Sequence, residues 1–529
     1  MLLKVTFIIK FGMRSFLPRV ATFLALSLSL VFACDSEEAT TTPGGDAAIA
    51  DASVGDSTSD PTRDANADGG VVASDASPDG SLADAAADAS ADAAIAPTVV
   101  AVSATGHDRF FGVTYDPQGN IFAVGVLSSG TDAADDLRTV VAKFSGAGVL
   151  DTTFGNSGYA VLNVVPGGGG EVMRGIVVQS TGKIVVAGTV EHTAPHADGG
   201  AADARDRDVA LVRFNANGTP DTTFGTAATG VVLLDLSDGE AAGSTYLADT
   251  QWGLALGAGD KLVVSGAVRG TGPSVDGGVR ADTDFAVVRL EANGARDNTF
   301  DGDGVATLDI GNLSASPRSV TVLGDGSVVM SGYMRDANSI VSPVVFKLTA
   351  AGILDTTFGV GGIYNEVVLQ SVTEVYGTAP QGNNFVTAGY GRNGSSESTD
   401  WVSLRILGDG GRDLTYGPDG GHARIDVAGE TDNARAVTVL PDGRVVIVGG
   451  GRPAAANSDG MIAMLTPGGL PDTTFGPGGY RLYDLGGTAD FFWAAAVAPD
   501  GKHFASVGVA GAPVSGDDDA VLLVLPTGL

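Results

Sequence analysis

Arginines and aromatic residues stand at corresponding places along this chain: Phe111, Arg174, Trp252, Arg318, Val375, Arg435 and Trp493. Each lies nine residues before the residue that leaves a short hairpin turn. Those turns are Gln118-Gly119, Thr181-Gly182, Gly259-Asp260, Asp325-Gly326, Gly382-Asn383, Asp442-Gly443 and Asp500-Gly501. A guanidinium offers a fork of N–H donors with a fixed charge, and an aromatic face attracts cations. Alternated around one opening, Phe111, Arg174, Trp252, Arg318, Arg435 and Trp493 could seat an anionic or sugar-like ligand. They could equally plug the opening with packed side chains.

Other chemistry is thin. The five histidines, His107, His192, His196, His422 and His503, show no metalloprotease or zinc spacing. His192 and His196 are four apart, but Pro195 and the glycines that follow predict a loop. Asp301-Gly302-Asp303-Gly304 has the opening of a calcium loop without its remaining oxygen ligands, so a turn is expected. There is no nucleophile elbow, phosphate loop or dinucleotide fingerprint. No catalytic residue, cofactor or metal is expected.

The elements that must position the ring repeat. Asp-Thr-Thr-Phe-Gly occurs at Asp151–Gly155, Asp221–Gly225, Asp355–Gly359 and Asp472–Gly476, with variants at Asp297–Asp301 and Asp413–Gly417. These copies recur every 58 to 76 residues, so one structural unit is reused. A short strand follows the motif, then a hairpin, then a strand such as Asp208–Phe214 or Asp284–Leu290. Short Val-rich runs bounded by Gly, Asp and Pro are strand signals. Four strands at this period predict the blade of a propeller. The hairpin turns count seven blades. Thr98–Ser103 reads as a spare outer strand, and Ala520–Leu525 as a last third strand without a fourth. The prediction is an all-β, seven-bladed β-propeller of four-stranded antiparallel blades over residues 98–529, closed by its N-terminal outer strand.

The motif, the hairpin with its Gly-containing turn and the Val-Arg-Phe or Val-Arg-Leu strand resemble the delta-sixty repeat, known from secreted delta-proteobacterial proteins. The resemblance covers about Thr98 to Leu529. It implies a propeller outside the cytoplasm and carries no family catalytic residues.

Recurrent residues ask for structural roles first. Phe154, Phe224, Phe300, Phe358, Phe475 and Tyr416 read as packing anchors, with Asp and Thr capping the turn. Gly125, Gly188, Gly266, Gly332, Gly389 and Gly449 mark close backbone approach or a bulge. Lys143, Arg213, Arg289, Lys347 and Arg405 share one position in the third strand, and Asp208, Asp284 and Asp400 open that strand. Ion pairing between strands or blades is the expected use. The variable loops Glu191–Arg207, Ser237–Gln251 and Arg269–Thr283 fall on one predicted face, where binding usually resides on a rigid scaffold. Neutral tolerance of insertions is the alternative.

The amino end reads as a signal peptide over residues 1–33, with Lys4, Lys10, Arg14 and Arg19 ahead of an apolar run from Val20 to Ala33. Met13 is an alternative start. Leu30–Cys34 resembles a lipobox with an ill-fitting Phe32, and Cys34, the one Cys of the chain, is the expected lipidation site. Residues 34–97 form an acidic Ala/Asp-rich tether without aromatics, which cannot bury enough surface to order itself. Its 63 residues after Cys34 reach ~200 Å at most and average roughly 45 Å as a coil.

A net charge of −32 excludes nucleic acid as a partner and disfavours docking on anionic lipid. The chain is therefore expected to be an exported monomer, lipid-anchored to a Gram-negative envelope at the outer membrane or cell surface. It is expected to bind an envelope protein or glycan without catalysis. A propeller enzyme (hydrolase, lyase or quinoprotein-like) and a purely structural envelope protein are the alternatives.

Overall fold

The computed structural model describes residues 97–528 apart from the segments 103–105, 129–136, 167–169, 194–204, 226–228, 238–240, 243–244, 247–248, 272–281, 454–456, 488 and 512–517. Cys34, the signal and the tether up to residue 96 lie outside the described residues. The described chain is all-β. Its helices are two three-residue 3-10 turns, Ala258–Asp260 and Pro477–Gly479.

The first sheet is a meander of Asp108–Tyr115, Ile121–Ser128, Leu137–Phe144 and Tyr159–Leu162, hydrogen-bonded in that order. The Gly of the hairpin turn permits the tight reversal: Gly119 has φ +84° and Gly443 φ +88°, where a side chain would be strained. The same meander recurs over residues 171–234, 250–308 and 433–483. Residues 315–425 carry two more, fused into a nine-stranded sheet through the short strand Val372–Thr373. The last sheet holds Phe491–Val497, His503–Ala510 and Asp519–Pro526, with Thr98–Val100 as its fourth strand. Thr98 lies opposite Leu522 and Val100 opposite Ala520. The N-terminal strand therefore pairs where the sequence places it, although it spans Thr98–Val100 and not the full expected run.

Sheets pack face to face, which explains why second and third strands are apolar on both sides. Val185, Val186 and Ala187 are all inaccessible to solvent. One apolar layer joins Val124, Val141 and Phe154 to Met173, Val186 and Phe214 of the next sheet. Another joins Val100, Ala505, Val507 and Leu522 of the last sheet to Phe110, Ala123 and Val140 of the first. First strands touch in succession, and Phe491–Val497 touches Asp108–Tyr115.

The repeated motif is a self-closed turn that anchors each of the first six sheets. Asp221 Oδ1 accepts the Thr223 N–H at 3.1 Å and its hydroxyl at 2.7 Å. Phe224 is fully buried beneath it. The third-strand bases pair with this motif Asp, eight residues on, and not with the Asp that opens their own strand. Arg213–Asp221 is 2.7 Å, Arg289–Asp297 2.6 Å, Arg405–Asp413 2.7 Å, Lys143–Asp151 2.9 Å and Lys347–Asp355 3.2 Å. The same guanidinium covers the motif ring, with Arg213 4.6 Å from Phe224 and Arg289 4.6 Å from Phe300. In the sixth unit Met464 takes the basic position, and Arg444 from the hairpin exit approaches Asp472 at 3.5 Å.

Candidate ligand-binding site

Every residue of the Arg/aromatic set except Val375 sits in a β-bulge. The ladder between first and second strands skips from Phe110 to Gly112, Met173 to Gly175, Gln251 to Gly253, Pro317 to Ser319, Ala434 to Ala436 and Phe492 to Ala494. The skipped residues are Phe111, Arg174, Trp252, Arg318, Arg435 and Trp493. A bulge frees one residue from the ladder and re-aims its side chain. It also pushes backbone toward the second strand, which is why glycine stands opposite. A Cβ on Gly125 would lie 1.7 Å from Arg109 O, and one on Gly449 2.1 Å from Asn433 O.

The re-aimed side chains meet. Arg174 lies 5.9 Å from the Phe111 ring and 4.5 Å from Trp252. Arg318 lies 3.8 Å from Trp252 and 4.6 Å from Tyr376. Arg435 lies 4.1 Å from Tyr376 and 5.4 Å from Trp493. Phe111 and Trp493 meet edge to face at 5.2 Å. The contacts run through one member of every unit and return to the start.

Val375 is not a ring member. It is buried, and Tyr376, one residue later, takes the place. The fifth first strand is interrupted between Val372–Thr373 and Gly377–Gln381, where the ladder gains one residue as at the other bulges. Its hairpin is one residue shorter, with four residues between Pro380 and its partner Phe385 against five between Tyr115 and Ile121, which moves the ring position from Val375 to Tyr376. Sequence reading also missed Tyr333 and Tyr390, each following a second-strand glycine. Arg318 Nη2 donates to the Tyr333 hydroxyl at 2.7 Å, and the Tyr376 and Tyr390 hydroxyls are 3.2 Å apart.

Phe111 and Arg318 are buried, while Arg174, Trp252, Arg435 and Trp493 keep partial exposure. Glu374 lies buried in the same layer. Its burial pushes the carboxyl up, against the pull of Arg318, Arg435 and the Tyr390 and Tyr376 hydroxyls. Glu374 Oε2 and Trp493 Nε1 are buried with no hydrogen-bond partner among the described residues.

Three residues before the bulge stands a buried acid in five units: Asp108, Glu171, Asp249, Asp432 and Asp490. As Glu171, Asp249, Asp432 and Asp490 it fastens the loop that leaves the preceding sheet. Glu171 Oε2 accepts from Val164 N–H at 2.8 Å, Asp432 Oδ2 from Val427 N–H at 2.7 Å and Asp490 Oδ2 from Leu485 N–H at 2.7 Å. Burial pushes Asp249 and Asp432 up to about 7, against these hydrogen bonds, and neighbouring aspartates add to the rise. Those neighbours complete triads: Asp208, Asp235 and Asp249; Asp400, Asp426 and Asp432; Asp459, Asp484 and Asp490. Each triad brings one oxygen per residue within 4.8 Å of the others. Strand-opening Asp208 and Asp400 thus belong to these groups.

The long loops are partly strand. His192 lies in Ile184–Thr193, paired with Arg205–Phe214, where sequence predicted loop; His196 lies outside the described residues. Asp301–Gly304 is a turn, with Asp303 Oδ1 accepting the Val305 N–H at 2.9 Å.

A family profile described as a domain of unknown function (DUF5122) beta-propeller matches residues 179–224 and 260–300. It supports a β-propeller family for this chain. A search of curated proteins finds no match. Among solved structures, a protein of unknown function from Dyadobacter fermentans is 13% identical, covering 82% of this chain and 98% of its own, with TM-score 0.41. Virginiamycin B lyase from Staphylococcus aureus is 9% identical over 81% and 98%, with TM-score 0.39. The NanB sialidase from Streptococcus pneumoniae is 10% identical over 66% and 66%, with TM-score 0.40. At these scores the likenesses carry no argument about what this chain does.

Proposed function

We propose that this chain is a seven-bladed propeller of delta-sixty type, held outside the cytoplasm by a lipid on Cys34, that binds an envelope protein or glycan without chemistry. The succession of first-strand contacts, and the pairing of Thr98–Val100 with the last sheet, support seven blades and a closed ring. The signal-like amino end supports export. No helix of the described residues is long and apolar enough to cross a membrane.

The observation that carries the binding reading is the partly exposed ring with polar atoms left over. A pure plug would satisfy its buried polar groups. Here Trp493 Nε1 and Glu374 Oε2 lack hydrogen-bond partners among the described residues, beside aromatic faces and guanidinium forks. A hydroxyl-rich or anionic ligand supplies both acceptors and flat C–H surface.

An enzymatic reading rests on Glu374 alone, a buried acid of raised pKa next to Tyr376, Tyr390 and two arginines. One acid without a second carboxyl on the ring among the described residues favours binding over catalysis. The deciding experiment is a glycan array and an envelope-extract pull-down with the mature chain, run beside Trp493→Ala and Arg174→Ala. A ligand retained equally by all three proteins refutes the site. Turnover of a bound glycan, abolished by Glu374→Gln, replaces binding with catalysis.

A further inference from the structure

Five junctions between successive sheets are sealed alike. The motif of one sheet reaches the turn between third and fourth strands of the next. Gly155 N–H donates to Asn217 O at 2.8 Å, Gly225 to Asn293 at 2.9 Å, Asp301 to Ala351 at 2.7 Å, Gly359 to Asp409 at 2.7 Å and Gly417 to Gly468 at 2.9 Å. The motif aromatic packs beneath that turn. A Cβ on Gly218 would fall 3.1 Å from the Phe154 ring, and one on Gly469 2.8 Å from the Tyr416 ring. The motif holds its own shape: Phe154 N–H donates to Asp151 O at 3.0 Å, and the Thr153 hydroxyl to Asp151 Oδ1 at 2.6 Å.

The junction between the last sheet and the first has no such turn among the described residues. The receiving turn is still present as Ser145–Val149. Ala147 O stands where Asn217 O stands, and no described residue donates to it. Val524 occupies the third-strand position that Arg213 holds in the second unit. A cavity of about 630 Å³ opens there, with Tyr115, Ala147, Pro499, His503, Val524 and Pro526 in its wall. The Tyr115 hydroxyl is buried and has no hydrogen-bond partner among the described residues. Lys502 and His503 stand exposed at the hairpin exit. At the same exit Lys183 pairs with Asp221, and Lys261 with Asp297. Neither Lys502 nor His503 has a carboxylate partner among the described residues. Asp500, also in the wall, uses one oxygen to cap the Lys502 N–H at 2.9 Å.

We propose that this junction is a peptide-binding site that takes, from a second polypeptide, a turn of the kind sealing the other junctions. The peptide carries Phe or Tyr followed by Gly, with an acidic residue three positions before the aromatic. The ring would enter the apolar crevice against Val524 and Pro526. The Gly N–H would donate to Ala147 O, and the acid would face Lys502 and His503. The site lies at the hairpin end of the sheets, opposite the Arg/aromatic ring, and is independent of it. Internal repetition argues for the occupant, because five junctions of the same chain place this turn against the equivalent receiving turn.

The test uses a fluorescently labelled peptide with the sequence of residues 468–480, titrated with the full chain and read by anisotropy. Saturable binding is expected. Replacing the peptide's Phe475 by Ala should weaken it at least tenfold. So should Lys502→Glu combined with His503→Glu in the protein, with the melting temperature unchanged because both residues are exposed. The proposal is overturned if the folded chain shows no saturable binding, or if the Ala peptide or the charge-reversed protein binds as well. It also falls if phenylalaninamide competes at the concentration of the peptide itself, which would make the crevice a small-aromatic pocket.

Discussion

Phe111 and Trp493 meet edge to face with ring centroids 5.2 Å apart, although one belongs to the first sheet and the other to the last. That contact needs the two ends of the chain held together. Thr98–Val100 does this by pairing with Asp519–Pro526, and Val100 enters the apolar layer with Leu522 and Ala505. A protein beginning at Thr105 should therefore melt lower and aggregate through the exposed edge of Asp519–Pro526. One beginning at Ala96 should not. Equal melting temperatures and solubility would discard ring closure and the count of seven with it.

The motif Asp matters in proportion to the burial of its base. Asp221 is buried with Arg213, whereas Asp151 and Lys143 keep side-chain exposures of 27% and 21%. Asp221→Ala leaves a buried guanidinium without its carboxylate and should cost about 3–5 kcal/mol in urea unfolding. Asp151→Ala should cost about 1 kcal/mol or less. Equal losses would show that turn capping by Asp, common to both, is the whole effect.

The ring positions were legible because counting back from each hairpin turn needs only the repeat. The bulge was not, since nothing in Phe111 or Arg174 announces an extra residue; only the glycine opposite, such as Gly125, hinted at crowding. Val375 misled because the fifth hairpin is one residue shorter than the others, so counting back from its exit overshoots Tyr376 by one. The eight-residue spacing from Arg213 to Asp221 was present in sequence and would have named the ion pair. The acids three before five of the bulges were also present, but their worth lies in backbone N–H groups such as Val427, which sequence does not display. The anionic triads form across loops whose path sequence leaves open.

Cys34 is expected to hold the chain at a membrane, because it ends the signal-like segment. Cys34→Ala should release the protein into the soluble fraction after a salt and carbonate wash. One acyl chain binds only marginally, so mass spectrometry should find more than one on the wild-type residue. A Cys34→Ala protein that still pellets with membranes would remove the lipid from the account.

Once a ligand is in hand, Trp252→Ala, Trp493→Ala, Arg174→Ala and Arg318→Ala should each weaken it by roughly 1–3 kcal/mol. Arg318 is the exception to watch. It is buried among Trp252, Tyr333 and Tyr376, so its loss should also lower the melting temperature. Asp442→Ala, in a hairpin turn at the other end of the sheets, should leave affinity unchanged. Calorimetric titration of the set decides between ring and plug: a plug would change melting temperatures and no affinity.

Stability should peak near pH 4 and fall toward pH 7. Asp249 and Asp432 are raised from 3.8 to about 7, mainly by burial. A carboxyl raised in the folded state holds its proton more tightly folded than unfolded. Between its unfolded and folded values the native state binds more protons, so stability declines as pH rises through that window. The motif aspartates act in the opposite sense. Hydrogen bonds from Thr153 and Lys143 lower Asp151 to about 2, and its contribution, present above the unfolded value, is lost as pH falls through the folded one. Melting curves from pH 2 to 8 should show both limbs. Asp249→Asn with Asp432→Asn should flatten the alkaline limb, since Asn carries no proton to lose. If the double variant keeps the full slope from pH 4 to 7, the decline comes instead from mutual repulsion within the net charge of −32.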